Sequence, residues 1–220
     1  SWSQQAKLTA SDAQDHDYFG YGLDLDGDTA VIGAFGEDPL LSNTGSAYVF
    51  NRSGSSWSQQ QKLTASDTGS NFDIGISVAI EGSLIALGAR GADSDTGAVY
   101  IFKLDGSTWT EEQKLISDEG AENDELGERI SFSSNYVIAS TKDESAFIFK
   151  YTKPTYIITP SSTNVNEGSS LTVNVVTTSV IDSTTLYYTL TNSSDFSTSS
   201  GSFVINSNSG SFTVTPTADA

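Results

Sequence analysis

Carboxylates dominate the chemistry this sequence could perform. Of its 28 acidic residues, sixteen fall in a few loop-like stretches: Asp12, Asp15 and Asp17; Glu37 and Asp38; Asp67 and Asp73; Asp93 and Asp95; Asp118, Glu119, Glu122, Asp124 and Glu125; Asp143 and Glu144. Hard oxygen ligands suit calcium, and carboxylate pairs are the residue type of glycoside hydrolysis. The second use meets an objection, because hydrophilic loops offer no desolvation to raise an acid's pKa. The single histidine, His16, lies between Asp15 and Asp17 with no adjacent nucleophile phrase, and so makes a poor catalytic base. No phosphate loop, dinucleotide fingerprint or His-rich metal motif is present. The chain reads as non-catalytic, with a polysaccharide-acting enzyme as the distant alternative.

Against 28 acids stand 10 basic residues, a formal charge of −18 that repels phosphate backbones and anionic lipid. Neither nucleic acid nor a membrane is an expected partner, and no apolar run reaches the ~18 residues of a spanning helix. Cysteine is absent, which removes disulfides and thiolate metal sites. Methionine is absent too, so Ser1 fits an excerpt of a longer precursor whose targeting signal would lie upstream. An apolar content of 36% with 10% aromatics is enough for globular cores.

The elements that must carry the acidic loops are legible as repeats. SWSQQAKLTASD at Ser1 returns as SWSQQQKLTASD at Ser56, and Trp109 begins a third, worn copy, WTEEQKLISD. Aligning Gly20, Gly75 and Gly127 brings together GYGLDLDGDTAVIGA, GISVAIEGSLIALGA and GERISFSSNYVIAST, each read as two short strands about a turn at DGD (26 to 28), EGS (81 to 83) or SSN (133 to 135). SAYVF, AVYIF and SAFIF supply a third strand with Tyr48/Phe50, Tyr100/Phe102 and Phe147/Phe149 on one face, and the Trp phrase supplies a fourth. Four antiparallel strands per period of 52 to 55 residues is the arithmetic of a β-propeller blade. The aligned glycines and the Gly-Ala pairs at 33/34 and 88/89 read as places where inner strands of neighbouring blades approach.

YFGYGLDLDGDTAVIGAFGED resembles the FG-GAP repeat, the blade of integrin alpha-chain propellers and of many secreted bacterial and viral proteins. The similarity covers residues 1 to about 151 and is weakest in the third repeat, where Leu126-Gly127 replaces Phe-Gly. It implies an all-β fold of three four-stranded propeller-type blades, with residues 2 to 10 as an orphan fourth strand and the third blade lacking one. Three blades are too few for an ordinary ring. The chain is therefore an excerpt of a longer array, an open or unusual stack, or a subunit whose residues 2 to 10 complete the third blade of a neighbouring molecule. The resemblance also implies a calcium site at Asp24, Asp26 and Asp28, although the turn is shorter than the calcium-binding version and repeats two and three lack its acids.

Composition shifts after Tyr151 to Ser and Thr, and alternating runs such as SLTVNVVTTSV predict a β-sandwich over 154–220 behind a first domain of 1–153, with a glycosylated stalk as the alternative. VNEGSSLTVNVVTT resembles a Calx-beta-type, immunoglobulin-like module, which implies calcium positions at Glu167, Asp195 and Asp219 and a missing closing strand. Asn51 and Asn192 open glycosylation sequons. These expectations describe an extracellular or particle-surface adhesion protein whose acidic face meets a protein or glycan. A filament or virion-fibre subunit is the rival.

Overall fold

A computed structural model describes residues 1–37, 43–67, 69–142, 144–152, 155–162, 166, 168–178, 184–190 and 200–216, which form two units, Ser1–Tyr151 and Thr152–Ala220. The described residues are almost entirely β and turn.

Unit one holds three antiparallel sheets built to one plan. In the first, β1 (Leu23–Asp26), β2 (Thr29–Ala34), β3 (Ser46–Ser53) and β4 (Ser56–Leu63) pair in chain order. The second repeats it with β5 (Val78–Glu81), β6 (Leu84–Ala89), β7 (Ala98–Asp105) and β8 (Thr108–Leu115). The third has β9 (Arg129–Ser133), β10 (Tyr136–Ser140) and β11 (Ala146–Lys150), and no fourth strand among the described residues. The first hairpin of each sheet closes on two residues, since Asp26 pairs with Thr29, Glu81 with Leu84 and Ser133 with Tyr136. That tight reversal requires positive φ, supplied by Gly27, Gly82 and Ser134. Both complete sheets carry a bulge at the same place on the fourth strand, where Gln60 and Glu112 are the extra residues opposite Val49–Phe50 and Ile101–Phe102.

Strand alternation gives every sheet two apolar faces, a front face toward the preceding sheet and a back face toward the next. Val31, Ala47, Val49 and Leu63 on the back of sheet one meet Val78, Ile80, Ile85, Leu87, Tyr100, Phe102 and Trp109 on the front of sheet two. Ala86, Val99 and Ile101 on the back of sheet two meet Val137 and Ala139 of sheet three, with Ile130, Phe132, Phe147 and Phe149 packed around them. Burying each such large side chain contributes about 1.5–3 kcal/mol, so these faces are what bind unit one together.

Glycine sets how close the sheets come. A Cβ on Gly33 would lie 1.9 Å from the Gly75 carbonyl oxygen, and one on Gly88 would lie 2.0 Å from that of Gly127. The Gly-Ala pairs are thus close-approach positions, as their sequence context suggests. Loop backbones stitch the same junctions: Ile74 N–H donates to Thr44 O at 3.1 Å, and Leu126 N–H to Thr96 O at 3.0 Å.

One expectation is corrected. Residues 2 to 10 form no strand here, because the edge they would pair with is absent beside sheet one; they run extended and mostly exposed, with Leu8 and Ala10 packed against Ala30, Tyr48 and Phe50.

Unit two holds β12 (Thr155–Pro160), β13 (Leu171–Thr178) and β16 (Ser209–Val214) in one sheet and β14 (Thr185–Thr189) with β15 (Ser200–Val204) in another. Tyr188 and Phe203 stack on Phe212 at 3.8 and 5.4 Å. Asn192, Glu167, Asp195 and Asp219 lie outside the described residues.

Candidate functional site

The Asp24, Asp26 and Asp28 carboxylates are engaged by protein. Asp24 accepts from its neighbour Leu25 N–H at 2.8 Å and, across the sheet junction, from Ile80 N–H at 2.8 Å. Asp26 accepts from Gly82 N–H at 2.6 Å, and Asp28 pairs with Arg52. Two of the three therefore bond β1 to the edge of β5 and to the turn that follows it. No group of three His, Cys, Asp or Glu side chains among the described residues is placed to hold a metal ion. Because charged acceptors on backbone amides are worth about 1.5–3 kcal/mol, Asp24→Ala is expected to lower unfolding free energy by that amount, measured by urea denaturation. A loss under about 0.5 kcal/mol would show that this link is idle.

The recurring letters of the Trp phrase build a second kind of cluster, twice. Lys62 on β4 bonds Asp12 at 2.8 Å and Glu37 at 2.7 Å, with its ammonium 5.4 Å from the centre of the Tyr48 ring. One repeat later Lys114 on β8 bonds Asp67 and Asp93, both at 2.8 Å, 5.4 Å from the Tyr100 ring, whose hydroxyl donates to Asp67 at 2.7 Å. The bond from Lys62 holds the Asp12 carboxyl below its usual range. At Asp67 burial works against the charge, but Lys114 and Tyr100 outweigh it and the pKa again falls. Folded pKa values below the unfolded 3.8 mean that the unfolded chain takes up protons first as pH drops. The stabilisation from these two acids is therefore complete above that value and is lost as pH falls through the folded values. Denaturation midpoints are expected to decline between about pH 4 and pH 2, less steeply in Lys114→Met; an equal decline in that variant would refute the assignment.

Between sheets two and three the loops enclose a polar groove. Asp73, Asp95, Glu125 and Glu128 line it with Asn71, Arg90 and Lys142. Arg90 donates through Nε to Asp73 at 2.8 Å and through Nη1 to Glu128 at 3.1 Å, while Lys142 bonds Glu125 at 2.5 Å. Burial pushes the Asp73 carboxyl up, and the nearby Glu125 and Asp95 charges act in the same direction. Arg129 lines it too, so among the described residues four carboxylates face three cations and three of the four are ion-paired; Asp95 is the acid left to offer a hydroxylated or cationic ligand an acceptor.

The acids read together as one solvated face thus divide. Glu37 is 4% exposed and Asp17 6%, the latter accepting from Gln14 N–H at 2.6 Å, so both fix loops rather than face solvent. Asp38 and Asp143 lie outside the described residues. His16 is exposed and stands edge-on to Tyr18 at 6.5 Å. Asn51, in the sequon, donates to Gln60 at 2.9 Å and is only partly exposed.

A phrase reused at the same contacts in successive sheets marks a repeat family rather than a chance recurrence. Residues 2–50 and 57–102 match the FG-GAP repeat. The first match takes in the Trp2 segment, β1, β2 and the first part of β3; the second takes in β4 from Trp57, β5, β6 and the first part of β7. No curated protein matches the chain. The Lys–Asp–Tyr clusters of these repeats are the feature sequence reading passed over. Its signal lay in the Asp that closes each KLTASD phrase, Asp12 and Asp67, and in the lysine one repeat later, Lys62 and Lys114, each opposite a tyrosine on the third strand.

Proposed function

We propose that this chain is a non-catalytic binding module of an extracellular or surface protein, using the loop face of its FG-GAP-type repeats to adhere to a protein or glycan. The observation that carries the reading is the groove lined by Asp73, Asp95, Glu125 and Glu128. Loops there are held by backbone bonds between successive sheets, so ligand acceptors sit on a rigid frame. FG-GAP repeats occur in adhesion and binding proteins, which agrees. In this reading the three sheets are propeller-type blades and unit two is a sandwich-like spacer.

The test is binding to immobilised basic proteins and to a glycan panel, for the parent and for Asp95→Asn/Glu125→Gln. Loss of a parental interaction in the double variant supports the reading; equal binding, or hydrolysis of a panel glycan, refutes it. A second reading, a structural subunit assembled head to tail, is favoured by the open outer edge of sheet three.

A further inference from the structure

Trp2 is fully exposed, whereas Trp109, its counterpart on β8, is 3% exposed in the core between sheets one and two. What holds Trp109 is explicit. Its backbone N–H donates to Gln61 at 2.8 Å, its carbonyl accepts from the same amide at 2.7 Å, and its indole N–H donates to Gln60 at 3.3 Å. Val49, Leu63 and Phe102 belong to the same cluster.

One period on, at the outer rim between sheets two and three, Ile101, Leu115, Phe149, Gln113 and Glu112 line a recess. These are the counterparts of Val49, Leu63, Phe102, Gln61 and Gln60, brought to the same relative places and holding no tryptophan. It is the seat of a fourth-strand Trp for sheet three.

We infer that Trp2 of a second copy fills this recess, with residues 2–8 pairing along β11 as the missing fourth strand. Transferring the β3–β4 register sets Ala146 opposite Leu8, Phe147 opposite Lys7, Ile148 opposite Ala6 and Tyr151 opposite Trp2. The side-chain half of the arrangement is already present: Gln5 accepts from the Trp57 indole at 3.1 Å as Gln60 does from Trp109, and Ser11 N–H donates to Gln59 at 2.9 Å as Ser66 N–H does to Glu111 at 2.7 Å. Residues 1–10 thus stand against sheet one as β4 stands against sheet two. Charge agrees as well. Lys7 replaces Lys62 and Lys114, Glu119 replaces Asp12 and Asp67, and neither has an ion pair among the described residues.

The donor must be another molecule. Leu8 and Ala10 are packed on sheet one, and sheet two separates that sheet from β11 by two sheet spacings, about 20 Å. In the partner arrangement, Leu23 and Leu25 on the exposed front of sheet one meet Ile138 and Ile148 on the exposed back of the other copy's sheet three. Reciprocal exchange gives each copy the strand its sheet three lacks and leaves neither β11 edge open, so two copies suffice. Ser140 stands where Gly33 and Gly88 admit close approach, so the junction between copies is wider at its inner strands than the two within a chain.

Sedimentation of the parent over a concentration series is expected to show reversible doubling of the 23.3 kDa mass. Trp2→Ala should weaken association about 30-fold, the scale of an aromatic hot spot, without moving the melting of the monomer. Because the chain has no cysteine, Ala6→Cys with Ile148→Cys should cross-link two chains under oxidation. A monomer at every concentration, a dimer indifferent to Trp2→Ala, a cross-link within one chain, or open multimers longer than two would each overturn the inference.

Discussion

Gly88→Val is expected to abolish the stack between sheets two and three, with a loss of more than about 4 kcal/mol in unfolding free energy. A Cβ there would lie 2.0 Å from the Gly127 carbonyl oxygen, and that atom cannot move aside because it also accepts from Ser77 Oγ at 2.7 Å. Gly33→Val is expected to do the same one junction earlier, where the obstacle is the Gly75 carbonyl at 1.9 Å. Gly27→Ala is the control: nothing lies within 4 Å of the added carbon, so only the positive φ of 56° is strained, at about 1–2 kcal/mol. Urea denaturation of the three variants separates backbone contact from turn strain. Similar losses in all three would mean that the glycines act through their dihedrals alone.

Lys62→Met is the second large effect. Its ammonium pairs Asp12 and Glu37, and Glu37 is buried with one carboxylate oxygen already lacking a hydrogen-bond partner. Removing the lysine leaves that charge buried and unpaired, which costs about 3–5 kcal/mol. Lys114→Met removes the corresponding cluster one repeat later, yet both of its acids are nearly half exposed, at 48% and 46%. Water replaces the lost cation there, and the expected loss is about 0–1 kcal/mol. The difference between these two substitutions, measured on one denaturation scale, is the discriminating quantity. Equal losses would show that burial of the acid is not what sets the strength of the cluster.

Much of unit one could be read before any coordinate was known, for a physical reason. Hairpin turns, strand alternation and Gly-Ala junctions are local or periodic requirements, so DGD, EGS and SSN each specify a reversal, and Tyr48/Phe50 and Tyr100/Phe102 each specify a face. What could not be read depends on partners distant in the chain. Asp24 looks like a cation ligand until Ile80 is placed beside it. Glu37 looks solvated until Lys62 crosses over it. Residues 2 to 10 carry the letters of a strand, but a strand exists only where an edge pairs with it, and no edge adjoins the place to which Leu8 and Ala10 fix the segment. Unit two is less legible because its Ser/Thr alternation specifies faces without specifying which strands meet; β13 pairs with both β12 and β16, a crossover no local signal announces.

Hydrogen exchange resolved by residue gives the most direct test of stacked repeats with a spare strand. At low concentration the amides of Ile80 and Gly82 should be protected by Asp24 and Asp26, while those of residues 3–8 exchange at nearly the rate of an open chain. Raising the concentration should slow exchange at residues 3–8 and along β11 together. Protection of residues 3–8 that is strong and independent of concentration, or absence of protection at Ile80 and Gly82, would contradict the account.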